Sequence, residues 1–231
     1  MRTTLVHTIT TKIKGRGPGH LWSVGDFPNY SAHTVARTLS RLSLKGFLVK
    51  VRPGTYYFGK NTPLGKTMPQ PIEIIEKLHD RKFTGGLHAF YNLGLTRQVP
   101  VTLTLVSASR RSIQKTKTIR RNIAHLKGAS DQEFWILEAL RKIKSIPDCP
   151  PPLAISKLIA YVDRNQMSIK RLVKFALSEP AHVRALLGAI GTDLGAPERE
   201  LIRLKKSLNR LTQFKIKVEA SLKSAKEWNI I

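Results

Sequence analysis

A mixed α+β chain is expected from three features of the sequence. Its first sixty residues combine helix-period apolar spacing with two β-rich runs around Arg52-Pro53-Gly54, a turn signal. Its middle holds VTLTLV (101–106), the clearest strand in the chain. From Ser130 onward, apolar residues recur at helical spacing and are interrupted at prolines, Asn165 and Gly195. These features divide the chain into an N-terminal unit of three helices and a hairpin (1–66), a small mixed α/β unit (67–128) and a C-terminal helical bundle (129–231).

The N-terminal elements follow in order. Residues 3–14 place Leu5, Val6, Ile9 and Ile13 on one helical face, and Gly15-Arg16-Gly17-Pro18-Gly19 ends that helix. His20, Leu21 and Trp22 suit a short strand. Ser23 suits the cap of a brief helix through Val24 and Phe27, with Asp26 bracing it. After the Pro28-Asn29-Tyr30 turn, Ser31 caps a helix that Gly46 closes. Val35, Leu39 and Leu42 are its apolar face, and His33, Arg37 and Arg41 an i, i+4, i+8 row on a face free to stay exposed. Phe47 to Phe58 then reads as a two-stranded hairpin. Helix, turn, helix and two-stranded wing is the order of a winged helix-turn-helix, whose second helix enters a DNA major groove.

Residues 59–71 (GKNTPLGKTMPQP) read as a linker. A short helix with Ile72, Ile74, Ile75 and Leu78 follows, then a small helix between Gly86 and Gly94. The stretch 110–127 is basic and β-like or irregular. Helices are expected over 131–145, 153–163, 168–178, 180–190 and 197–225, the last one amphipathic through Leu201, Leu204, Leu208 and Leu211.

Charge narrows the partner. The 231 residues carry 40 Lys and Arg against 15 Asp and Glu, a net charge of +25. Such an excess suits a polyanion, because each phosphate neutralised releases condensed counterions. The net charge is +10 over residues 1–66, +8 over 67–128 and +7 over the longer remainder, so its density is highest at the N-terminal end. Cys149 is the only cysteine, which leaves no intramolecular disulfide or CxxC zinc pair and fits a reducing compartment. No apolar run reaches the roughly 18 residues of a membrane span, and MRTTLVHTITTKIKG lacks the apolar core of a signal peptide. A cytoplasmic, nucleoid-associated protein without a membrane partner is expected.

Catalytic signatures are missing. The seven histidines form no HxxxH or HExxH pair, and the N-terminal acids Asp26, Glu73, Glu76 and Asp80 lack the grouping a two-metal nuclease needs. Gly59 to Thr67 imitates a phosphate loop but has five residues between its glycines rather than four, with Pro69 and Pro71 where the helix should begin. No enzyme, metal or cofactor is expected. The remaining readings are a DNA-binding regulator, an RNA-binding or ribosome-associated basic protein without RRM, KH or OB signatures, and a DNA-processing enzyme, disfavoured by its missing carboxylates.

An arginine row is often just a solvated helix face; the adjacent basic hairpin favours DNA. Arg37 and Arg41 suit guanine O6/N7, where a planar fork makes two hydrogen bonds. His33, Thr34 and Thr38 would touch base edges or thymine methyls. Lys12, Lys14, Arg16, Lys45, Lys50 and Arg52 would hold phosphates and set register, and Tyr56 or Tyr57 would donate to another.

GHLWSVGDF (19–27), the Ser31 helix and KGFLVKVRPGTYYF (45–58) resemble the N-terminal winged helix of AbiEi-type antitoxins of bacterial type IV toxin–antitoxin systems. GGLHAFYNLGLTRQVP (85–100) is similar to the segment that follows it in that family, and EPAHVRALLGAIGTDLG (179–195) to the C-terminal helical region. The resemblance implies a transcriptional autorepressor that binds repeats in its own operon promoter. It also implies a neighbouring nucleotidyltransferase-like toxin, countered through the C-terminal domain without a stable complex. The basic stretch 110–127 leaves room for a broader DNA footprint.

Overall fold

The computed structural model describes residues 4–69, 73–74, 83–108 and 116–231, and over these the chain is mixed α+β, with eight α-helices and three small sheets. Two compact units are formed, one from residues 4–69, 73–74 and Thr116, the other from 83–108 and 117–231.

In the first unit, α1 (Leu5–Arg16) buries Ile9 and Ile13, while Val6 turns outward. Strand β1 (His20–Ser23) leads into a single 3-10 turn at Val24–Asp26. That turn is braced as expected: the Ser23 N–H and hydroxyl both donate to Asp26 Oδ2, at 2.7 and 3.0 Å. Helix α2 (Ala32–Leu44) starts at Ser31 without a side-chain cap bond and buries Val35, Leu39 and Leu42. It ends in a Schellman turn, with Phe47 N–H donating to Leu42 O at 2.9 Å and Gly46 N–H to Ser43 O at 3.0 Å. Gly46 has φ +71°, the left-handed conformation that turn requires.

Strands β2 (Val49–Arg52) and β3 (Thr55–Phe58) form the hairpin, and β3 pairs antiparallel with both β1 and β2 in the order β1-β3-β2. The core between sheet and helices holds Ile9, Ile13, Trp22, Phe27, Leu39 and Leu48, with Trp22 stacked on Phe27 at 5.7 Å. The expected linker folds back onto this unit. Asn61–Thr62 (β4) and Gly65–Lys66 (β5) make a small hairpin, and Lys66 Nζ donates to the carbonyl oxygens of Gly46 and Phe47. Gly59 to Thr67 is therefore a hairpin and not a phosphate loop. The helix expected around Ile72, Ile75 and Leu78 lies outside the described residues apart from Glu73 and Ile74.

The second unit begins with β6 (Phe83–Thr84), α3 (Leu87–Asn92), β7 (Leu103–Ser107) and β8 (Thr116–Arg120, in this unit from Lys117 on), the strands forming one sheet in the order β6-β7-β8. Five helices follow: α4 (Asp131–Arg141), α5 (Pro151–Arg164), α6 (Ile169–Ala176), α7 (Ala181–Asp193) and α8 (Glu198–Lys206). Sheet and helices share one core, with Phe83 stacked on Phe134 at 4.5 Å and Trp135 Nε1 donating to Thr84 Oγ1 at 3.0 Å. The 67–128 block thus has no separate core of its own among the described residues. The long helix expected over 197–225 is corrected too: it stops at Lys206. Phe214, Ile216 and Val218 then turn inward while Lys215 and Lys217 stay exposed in a non-helical segment, with Lys217 at φ +58°, and Phe214 bridges Ile230.

Helix α4 is buried on most of its faces, and two of its buried side chains, Glu133 and Glu138, are acids. Each is matched by arginine. Arg121 Nη1 lies 2.6 Å from Glu138 Oε2, and Arg171 grips Glu133 at 2.6 and 3.0 Å. Glu133 also completes a capping box with Ser130, accepting from its N–H at 2.7 Å. Burial would raise the Glu133 carboxyl, but the Arg171 and Ser130 hydrogen bonds and the Arg171 charge outweigh it and hold the group below the ordinary carboxylate range. A depressed folded value means stability that is present above the unfolded pKa and lost as pH falls through the folded one. Glu133→Gln is therefore expected to flatten the acid limb of the stability–pH curve, read by urea denaturation between about pH 5 and 2. An unchanged limb would show that the Arg171 pair carries none of it.

Candidate nucleic-acid interface

Helix α2 has two chemically different faces. Val35, Leu39 and Leu42 are spent on the core, which turns His33, Thr34, Arg37 and Arg41 to solvent. The row expected from the spacing is present on the surface. Two members of the expected set are buried. Thr38 is buried and its Oγ1 donates to Thr34 O at 2.9 Å, because it sits on the edge of the apolar stripe. Tyr56 is buried with the hydrophobic core, opposite Trp22 in the sheet, and Tyr57 is buried as well. Both rings are therefore spent largely on packing.

The basic residues also divide. Lys14, Lys45 and Lys50 are exposed. Lys12 is engaged in the fold: its Nζ donates to Asp26 O at 2.8 Å and stands 5.0 Å over the Phe27 ring. Arg16, exposed at the end of α1, lies 5.9 Å over Trp22. Arg52 is half-buried, with Nε donating to Thr55 Oγ1 at 3.3 Å across a ladder that shifts register between Lys50 and Arg52. The structure adds Lys60, exposed on the rim of a cavity of about 490 Å³ that is also lined by Pro18, Phe47, Phe58 and Lys66. Its only sequence signal was the false phosphate loop. Asp26 is the one acid in residues 1–66, and its carboxylate is occupied by Ser23. The field of this unit is accordingly positive.

Other chemistry is sparse. Cys149 is buried, and burial pushes its thiol up against the opposing pull of Lys157, so it is no ready thiolate nucleophile. Among the described residues, no group of three or more His, Cys, Asp or Glu is placed to hold a metal ion, and no helix is long and apolar enough to cross a membrane.

A small basic unit with an arginine row on the free face of a packed helix defines a candidate nucleic-acid-binding module. The chain belongs to DUF6088, a family of unknown function whose profile matches residues 8–144. No curated protein matches it. Among solved structures it is similar to the crystal structure of the RV2827C protein from Mycobacterium tuberculosis, at 16% identity and a TM-score of 0.48, with 93% of this chain and 85% of that one covered.

Proposed function

We propose that the first unit is a winged helix-turn-helix that binds double-stranded DNA in a sequence-specific way, with α2 in the major groove and the β2–β3 hairpin as the wing. The observation that carries this reading is the exposed His33, Thr34, Arg37 and Arg41 face on a helix whose opposite face is buried. The element order and the β1-β3-β2 sheet support it. Residues four apart on a helix advance about 6 Å along its axis. Arg37 and Arg41 would therefore reach bases roughly two steps apart, each fork on guanine O6/N7. Lys14, Arg16, Lys45 and Lys50 would take phosphates.

The protein is further proposed to repress its own promoter at inverted repeats, in the cytoplasm and on the nucleoid. It would act as the antitoxin to a nucleotidyltransferase-like toxin, with the helices after residue 129 forming a bundle needed for the antitoxic role. The resemblance of 19–27, 45–58, 85–100 and 179–195 to AbiEi-type antitoxins supports this extension. A neighbouring gene without any nucleotidyltransferase signature would remove the antitoxin part and leave the DNA part standing.

Binding to the chain's own upstream DNA across a salt series tests the reading. Lys50→Ala is expected to weaken specific and random DNA alike and to reduce the slope of log K against log salt by about one. An unchanged slope would take the hairpin out of the interface.

A further inference from the structure

The second unit contains a cavity of about 470 Å³ walled by the end of α4 and the turn after it, the start of α7, and the extended segment near the C-terminus. Arg141, Lys142, Lys144 and Lys215 line it together with His182, and no acid among the described residues does. The acid closest in chemistry, Glu179, is buried and already holds Arg141 and His125, the latter at 2.9 Å. Among the described residues, none of the three lysines is paired with a carboxylate. Like charges gathered around a concavity repel one another, and an anion inside it would relieve that repulsion.

A second observation is independent of net charge. Among the described residues, Arg141 Nε is buried with no hydrogen-bond acceptor, and a buried donor left unsatisfied is costly. A third is shape: Ile143, Phe214 and Ile216 supply apolar wall beside the cations. Phosphate-sized anions need no such wall, whereas a ligand with a flat apolar body does. The volume lies within the ~300–1,000 Å³ of small-molecule sites.

We propose that this cavity binds a nucleoside 5′-diphosphate or closely similar nucleotide, with its phosphates on Lys142, Lys144 and Lys215 and its base against Phe214. His182 adds a pH response. Its Nε2 donates to Arg141 O at 3.4 Å, and burial, with Arg141 and Lys144 beside it, holds the ring below the ordinary histidine range despite that hydrogen bond and Glu179. The groups facing the ring are thus Arg141, Lys142, Lys144, Lys215 and Glu179, cationic on balance. A bound phosphate offsets them and favours the imidazolium, so affinity rises as pH falls below that range.

Isothermal titration of the full chain with ADP and with inorganic pyrophosphate tests the site. Saturable one-to-one ADP binding is expected, at least tenfold tighter than pyrophosphate. Lys144→Glu with Lys215→Glu should weaken it tenfold or more while the unliganded protein keeps its melting temperature. Phe214→Leu should weaken ADP but not pyrophosphate, and His182→Asn should reduce the pH dependence to that of the ADP phosphates' own titration. Equal affinity for pyrophosphate would mean a nonspecific anion site only. The proposal is also overturned by ADP binding that ignores the double charge reversal, or by no heat at millimolar ADP. The variant Arg37→Ala with Arg41→Ala should bind ADP like the parent, so failure here and failure of the DNA reading are separable.

Discussion

Replacing Arg37 and Arg41 together by alanine is expected to abolish preference for the promoter fragment while leaving weak, salt-sensitive binding to any DNA. The two guanidinium groups sit on the exposed face of α2, so their loss removes no core contact. Surface changes of this kind usually shift stability by within about 0.5 kcal/mol. Each bidentate arginine–guanine pair contributes about 1–3 kcal/mol of discrimination. Losing both should therefore cost about 2–6 kcal/mol on the specific site, roughly 30-fold to 10⁴-fold. Lys14, Arg16, Lys45 and Lys50 remain, and their counterion release sustains the nonspecific complex. Competition titrations with promoter and scrambled duplexes at two salt concentrations would measure both quantities. Equal losses on the two duplexes would assign the arginines to phosphates and sink the base-reading role.

Much of the first unit was legible because each of its signals is local. Ser23 with Asp26, the Val35–Leu39–Leu42 stripe, Gly46 at φ +71° and Gly54 at φ +77° all act within a few residues of themselves. Burial of an amphipathic residue is a different kind of fact. Thr38 and Tyr56 look equally suited to surface or core, and only the partners supplied by the fold decide. The candidate cavity in the second unit was illegible for a related reason. It joins residues 141–145, 182 and 213–216, whose distance in sequence hides their proximity. Ser130 and Glu133, by contrast, form an S-x-x-E capping box at the start of α4, a signal contained within four residues.

The overextended final helix shows where pattern misleads. Leucine spacing continues through Leu208 and Leu211, yet Leu211 is 90% exposed. What ends α8 lies elsewhere: Arg184 Nη1 donates to Ser207 O at 2.8 Å, and the Asp193 carboxylate accepts the N–H groups of Lys223 and Ser224 at 2.7 and 3.0 Å. These tertiary bonds tie the chain after Lys206 back to α7, where Trp228 also packs.

Trp228 and Gly188 should show the largest stability effects in the chain, and the effects should not add. A Cβ at Gly188 would fall inside the van der Waals envelope of three atoms of the Trp228 ring. That ring has little freedom to retreat, being 2% exposed with Nε1 donating to Thr192 Oγ1 at 3.0 Å. Gly188→Ala should thus cost about 1–3 kcal/mol or more by overpacking, although alanine favours helix over glycine by about 1 kcal/mol. Trp228→Ala should cost about 3–5 kcal/mol through the cavity it opens. With the indole gone, the same Gly188→Ala change loses its clash and keeps its helix-forming advantage, so it becomes neutral or stabilising. Urea denaturation of the four proteins in the cycle would give a coupling of about 2–3 kcal/mol, at the upper end for contacting residues. Hydrogen exchange in Trp228→Ala should show residues 212–231 losing protection while α2 keeps its own. Additive costs would mean that the glycine is needed for something other than the close approach of this ring.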